Sequence, residues 1–210
     1  MIFKRDKFLT LSGFFGPIIF AAVILIAGFL SPNYDHANQV ISDLGAVGSP
    51  VKDFMNIFGF MLFGILIMAF SVGVYKIRGS LLGKAIAALF MLGGLAMFLI
   101  GVFPSDAVCR EGPCPQPSLT GEMHNISTIG TFLLLFPAFV LLVIDTRNEK
   151  SMRYYFIVAG ILGAIIAFSA HAWLTAADGT LIGVKQRITL GAFSLLLMYT
   201  SAKLYRLKAR

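Results

Sequence analysis

The sequence predicts an all-α, polytopic integral membrane protein, a bundle of six transmembrane helices, and three observations predict it. Of 210 residues, 58% are hydrophobic and only 13% charged, with a mean hydropathy of +0.85. A soluble domain is about 45–50% apolar and about 25% charged, and a water-facing exterior could not be covered by so few polar groups. Six apolar stretches reach the roughly 20 residues that a bilayer core requires. Runs of this length exclude a transmembrane barrel, whose strands are about 10 residues long and alternate in polarity. With 8 Pro, 2 Cys and no block of like charge, disordered and disulfide-scaffold classes fall away.

The chain reads as one domain over residues 1–210, with spans at 8–30, 54–75, 85–103, 126–144, 154–176 and 182–204. The first follows Lys4, Arg5 and Lys7 and starts like a signal peptide. It is too long for an h-region and no A-x-A-like site follows, so a retained anchor is expected, with Pro17 tolerated inside it. The second and third spans are joined by Lys76, Arg78 and Lys84, the fourth and fifth by Arg147, Lys150 and Arg153. The sixth is polar at its start (Lys185, Gln186, Arg187) and ends in Lys203, Arg206, Lys208 and Arg210. Thirteen of the 17 basic residues thus fall on one side, leaving Lys52, Arg110, Lys185 and Arg187 on the other. The positive-inside rule makes both termini cytoplasmic, with the plasma membrane the expected location. The net charge of +7 then reflects anionic lipid heads and not nucleic acid.

The polar chemistry collects at the opposite, outer end. Asp35, Asp43, Asp53, Asp106, Glu111, Glu122 and Asp178 map there, with His36, His124 and His171. The two connections there are long, and long loops in compact domains are usually functional or disordered. In the first, Val40, Ile41, Leu44 and Val47 have the spacing of a short amphipathic surface helix. Ser42 and Asp43 lie near its middle, readable either as a cap before Gly45 or as site residues. In the second, Cys109 and Cys114 are expected to form a disulfide. A zinc pair with His124 would want four ligands, and there is no further cysteine. His124 opens the fourth span, His171 lies just inside the outer end of the fifth, and Arg187 stands in the first turns of the sixth. Ionisable groups at such depth default to paired or functional roles. The plain alternatives are a carbonyl partner for His171 and an Arg187 that snorkels to head groups.

The order ISDLGAVGSP (41–50), GVFPSD (101–106), Gly-x-x-His at 121–124 and Gly-x-x-Gln-Arg at 183–187 resembles the six-helix membrane family catalogued as domain of unknown function 998. The resemblance runs over nearly the whole chain. It implies a fold and a set of positions, not a reaction; where this chain has Gln186 and Ser105 the family often has Glu and Cys. Those motifs hold Asp43, Asp106, His124 and Arg187, drawn from all three outer helical hairpins. The expectation is an outer pocket built from these four that binds a membrane lipid or other amphiphile, with Arg187 paired to at least one carboxylate. The alternative is a membrane-embedded hydrolase acting on a lipid head group, with Ser42, Asp43, Asp106, His124 and His171 as catalytic candidates. No cofactor is demanded by the sequence; under that alternative a divalent metal such as zinc would sit on Asp43, Asp106, His124 and His171. A small transporter is disfavoured, because no span carries an acid near its middle.

Overall fold

The computed structural model describes residues 2–107, 116–175 and 180–207. Among them the secondary structure is helical throughout, and six helices are long and apolar enough to cross a membrane. These are α1 (Ile2–Leu30), α2 (Lys52–Ile77), α3 (Leu81–Val102), α4 (Leu119–Thr146), α5 (Tyr155–Leu174) and α6 (Ile182–Arg206). Helices α3 and α4 begin several residues before their apolar runs do. Serine caps explain both starts: Ser80 accepts from the Gly83 amide at 2.9 Å, and Ser118 from the Gly121 amide at 3.0 Å. Apolarity marks what lies in lipid, whereas the cap marks where the helix begins.

The helices follow one another round the bundle, and α6 closes the ring on α1; α5 leans on α6 and touches α4 only lightly. Lipid supplies little hydrophobic drive between helices, so packing and interhelical hydrogen bonds decide the contacts. Phe70, Phe90, Phe139 and Phe193 form an edge-to-face chain across the interior, with centroids 5.0, 5.1 and 5.4 Å apart. Hydroxyls stitch neighbouring helices at the same depth. Ser12 donates to the Leu66 carbonyl, Ser71 to that of Ala87, and Ser201 to that of Thr10. Tyr155 and Thr200 join α5 to α6 at 2.8 Å.

An even number of crossings brings both chain ends to one end of the bundle, where Phe8 lies against Tyr205. The short connections at this terminal end are locked together by Arg78. Its guanidinium donates to the Asp145 carboxylate at 2.6 Å, to the Asp145 carbonyl at 3.1 Å and to Glu149, while only 7% of the side chain is exposed. Charge counting treats Arg78 as one more cytoplasmic cation; in the fold it is a buried, neutralised clamp.

The opposite end carries the two long connections. The segment expected as an amphipathic surface helix is instead a five-residue 3-10 turn, Ile41–Gly45, that dips into the bundle mouth. Ile41 and Leu44 are buried to 2% and 1% exposure, while Val47 is 51% exposed and takes no part in that face. The tighter turn wins because its backbone is held by the helices around it. The Ile41 amide donates to the buried Gln186 side chain at 2.6 Å, and the Gly45 carbonyl accepts from Asn56 at 2.9 Å. Asn56 belongs to a π-helical stretch of α2, Met55–Met61, and its Oδ1 is the one buried side-chain oxygen without a partner among the described residues. The expected Cys109–Cys114 bridge and Asp178 lie outside the described residues.

Candidate functional site

Helix α6 begins under the first connection, and the sequence makes that approach feasible. A Cβ on Gly183 would come within 2.4 Å of the Gln39 carbonyl and 2.5 Å of the His36 carbonyl, so only glycine admits the chain there. The connection in turn satisfies the start of the helix: the Val184 amide donates to the Ala37 carbonyl and the Leu181 amide to Asn38. One turn further on, Arg187 reaches back into the same connection.

Arg187 turns inward instead of snorkelling to head groups, and among the described residues it pairs with no carboxylate. Its Nη1 donates to the Gln39 carbonyl at 2.9 Å and the Gly183 carbonyl at 3.0 Å. Its Nη2 donates to the Tyr34 hydroxyl at 2.7 Å and to His36 Nδ1 at 3.1 Å. Tyr34 passes the bond on to the Val40 carbonyl at 2.8 Å, and its ring faces the guanidinium, 5.7 Å from centroid to carbon. The expected ion pair is therefore replaced by four neutral acceptors, which satisfy the terminal N–H groups without cancelling the charge. Guanidinium can only donate, so His36 Nδ1 is an acceptor and its proton sits on Nε2. Burial, then the nearby Arg187 charge, lower the His36 pKa against the opposing pull of Asp35. Burial outweighs the contact with Arg187 and raises the Tyr34 pKa.

The four expected site residues share one end of the bundle but not one pocket. Arg187 and His36 stand at the mouth of an 810 Å³ groove between α1 and α6, lined below by Ile18, Ala22, Leu25, Leu195 and Met198. His124, 4% exposed, lines a separate 90 Å³ cavity beneath the 3-10 turn, with Ser42, Asn125, Thr128, Thr131 and Gln186. Its Nδ1 lies 2.8 Å from the Phe103 carbonyl and its ring stands edge-on to Phe60. Phe20, Ile41 and Leu190 line both spaces and form the wall between them. Asp43 lines a third, shallow pocket of 240 Å³ formed by the first connection.

Asp106 is used structurally. Its carboxylate accepts from the Ser118 hydroxyl at 2.5 Å and the Ser118 amide at 3.0 Å, which holds its pKa below the usual carboxylate range. It also lies where a Cβ on Gly121 would be, 2.1 Å from Oδ2, which explains the glycine three residues before His124. Ser105 ties the two connections together, donating to the Ser42 carbonyl at 3.1 Å while its own carbonyl accepts from the Val47 amide. His171 is on the exposed side of α5, its carbonyl accepting from Thr175. Among the described residues no three His, Cys, Asp or Glu side chains are grouped so that they could hold a metal ion.

Tyr34, His36 and Gln39 are the site residues that sequence reasoning passed over. The available signal was the polar, turn-rich stretch Tyr34–Gln39, with an imidazole and a phenol two residues apart, and the polar start of the sixth span at Lys185, Gln186 and Arg187.

No curated protein and no solved structure matches the chain. A family model does, over residues 14–203, a range that takes in Gly183, Gln186 and Arg187, which seat the first connection on α6. The chain belongs to the family described as protein of unknown function DUF998.

Proposed function

We propose that this multi-pass membrane protein binds an amphiphile in the α1–α6 groove, from the leaflet next to the long connections. The observation that carries the reading is the union of an apolar, lipid-facing groove with one polar end whose cation is held, among the described residues, by neutral acceptors. Along α6 the groove runs from Arg187 to Met198, roughly 16 Å at 1.5 Å per residue, which is about one leaflet of a 30 Å hydrocarbon core. A tail lying there would leave its head group beside Arg187 and His36. The distribution of basic residues supports cytoplasmic termini in the plasma membrane, so the leaflet engaged is the outer one.

A hydrolase would have to draw on Ser42 and His124, which line one cavity. That cavity is about a ninth the size of the α1–α6 groove. Binding is the better-supported role.

Gly191 provides the test. It lines the groove, and a Cβ there would meet nothing within 4 Å, so a side chain at this position starts into open groove space. Gly191→Trp is expected to remove lipid that copurifies with the wild type, read by native mass spectrometry of protein extracted in mild detergent, at unchanged thermal stability. Equal lipid retention in both proteins would refute the groove as the site.

A further inference from the structure

The polar end of the groove specifies more than an amphiphile. All four terminal N–H groups of Arg187 are committed to neutral acceptors, and one of these acceptors is titratable. Arg187 Nη2 and His36 Nδ1 are 3.1 Å apart, and the bond exists only while His36 is neutral. If the imidazole gains a proton, two cationic donors face one another with no acceptor between them. An anionic oxygen bridging the two resolves that conflict. Both residues line the groove, so the notch opens onto the space that holds the tail.

We infer, resting on the amphiphile reading above, that the ligand is an anionic amphiphile and that its head group enters the Arg187–His36 notch together with a proton taken up from solution by His36. In the empty state the pair is closed, with Nδ1 accepting from Nη2. In the bound state His36 Nδ1–H and Arg187 Nη2–H both donate to one phosphate or carboxylate group, as charge-assisted bonds.

The groups around His36 fit this cycle. Tyr34 stands edge-on at 4.9 Å and is itself a neutral acceptor for Arg187; Asp35 is the adjoining acid on the same connection. From α6 the facing charge is Arg187, and from α1 the imidazole meets Gly28, which carries no charge. Burial and Arg187 both oppose protonation of the free site, the condition under which a bound anion shifts the proton equilibrium most. The Asp35 carboxylate is occupied elsewhere, accepting from the Ala37 amide and the Asn38 side chain, so it does not supply the bridging oxygen.

The test is equilibrium binding of three oleoyl probes to the purified full chain in neutral detergent between about pH 5 and 8. Lysophosphatidylglycerol carries a fixed negative charge, lysophosphatidylcholine is zwitterionic and monooleoylglycerol is neutral, while the tail is constant. The first should bind at least about tenfold more tightly than the third, and its affinity should rise by up to about tenfold per pH unit of acidification, as one linked proton requires. His36→Gln should flatten that slope while still binding the anionic probe, a result that a merely structural role for His36 would not give. Equal affinity for all three probes, or a slope unchanged in His36→Gln, overturns the inference and leaves the groove reading intact. No binding of any probe, at any pH, overturns both. Inorganic phosphate alone, bound as tightly as the lysophosphatidylglycerol, would assign the notch to a soluble anion and overturn the lipid.

Discussion

Arg78 and Arg187 stand at opposite ends of the bundle, and each fastens a connection to a neighbouring helical hairpin. Arg78 does so with charge matched inside the protein. Burial alone would lower its pKa, but hydrogen bonds to Glu149 and Asp145 more than offset this and hold it raised. Arg187 does so with hydrogen bonds alone: two carbonyls, a phenol and an imidazole. A carbonyl satisfies an N–H group but carries no net charge, so the field of Arg187 reaches past its acceptors. The Arg78 guanidinium is matched by carboxylates inside the protein. The Arg187 guanidinium is held by neutral acceptors, and it is the one beside the groove.

The sharpest way to break this contrast is to remove each arginine in turn. Arg78→Met takes the guanidinium away from two carboxylates that are 9% and 12% exposed, and breaking a buried pair from one side costs about 3–5 kcal/mol. Arg187→Gln strands no charge. It loses hydrogen bonds to a half-buried cation, worth about 1.5–3 kcal/mol, and should abolish the preference for the anionic probe. Unfolding of both variants in one detergent gives the comparison directly. A larger loss for Arg187→Gln would mean that a carboxylate does match that arginine, and the contrast would be wrong.

How far the two ends were legible in the sequence differs for the same physical reason. The spans follow from apolar runs, because lipid tests each residue of a helix almost independently. Helix starts follow once Ser80 and Ser118 are read as caps, a local signal. Arg78 was readable only as a positive charge, since its partners lie 67 and 71 residues away and charge counting does not distinguish a clamp from a cation facing lipid heads. For Arg187 two alternatives are readable, inward or snorkelling, and the structure has it inward, bonded to neither Asp43 nor Asp106. That outcome depends on residues 34–39 folding back over Gly183, a contact across some 150 positions that no local pattern announces. The amphipathic spacing of Val40, Ile41, Leu44 and Val47 misled for a related reason. A surface helix and a plug present the same apolar residues, and Gln186 and Asn56, from distant helices, select the plug.

The smallest expected effect sharpens the contrast at the level of helix caps, where the two ends are built alike. Ser80 and Ser118 each accept from the amide three residues on and donate to an aspartate, Asp145 at 3.3 Å and Asp106 at 2.5 Å. Only Asp145 also serves an arginine. Ser118→Ala removes a cap from an exposed helix start and should cost about 1 kcal/mol. The Asp106 bonds hold its carboxyl below the ordinary range, so their contribution has a definite sign with pH. It is fully present above the unfolded-state value near 3.8 and is lost as pH falls through the lower folded-state value. Asp106→Asn should therefore be less stable than wild type at neutral pH, with the difference narrowing below about pH 4. Thermal unfolding of the two proteins from pH 7 to pH 3 measures that gap. If it instead stays constant into acid, the Asp106 charge is irrelevant to the cap, and the start of α4 owes its geometry to Ser118 and Gly121 alone.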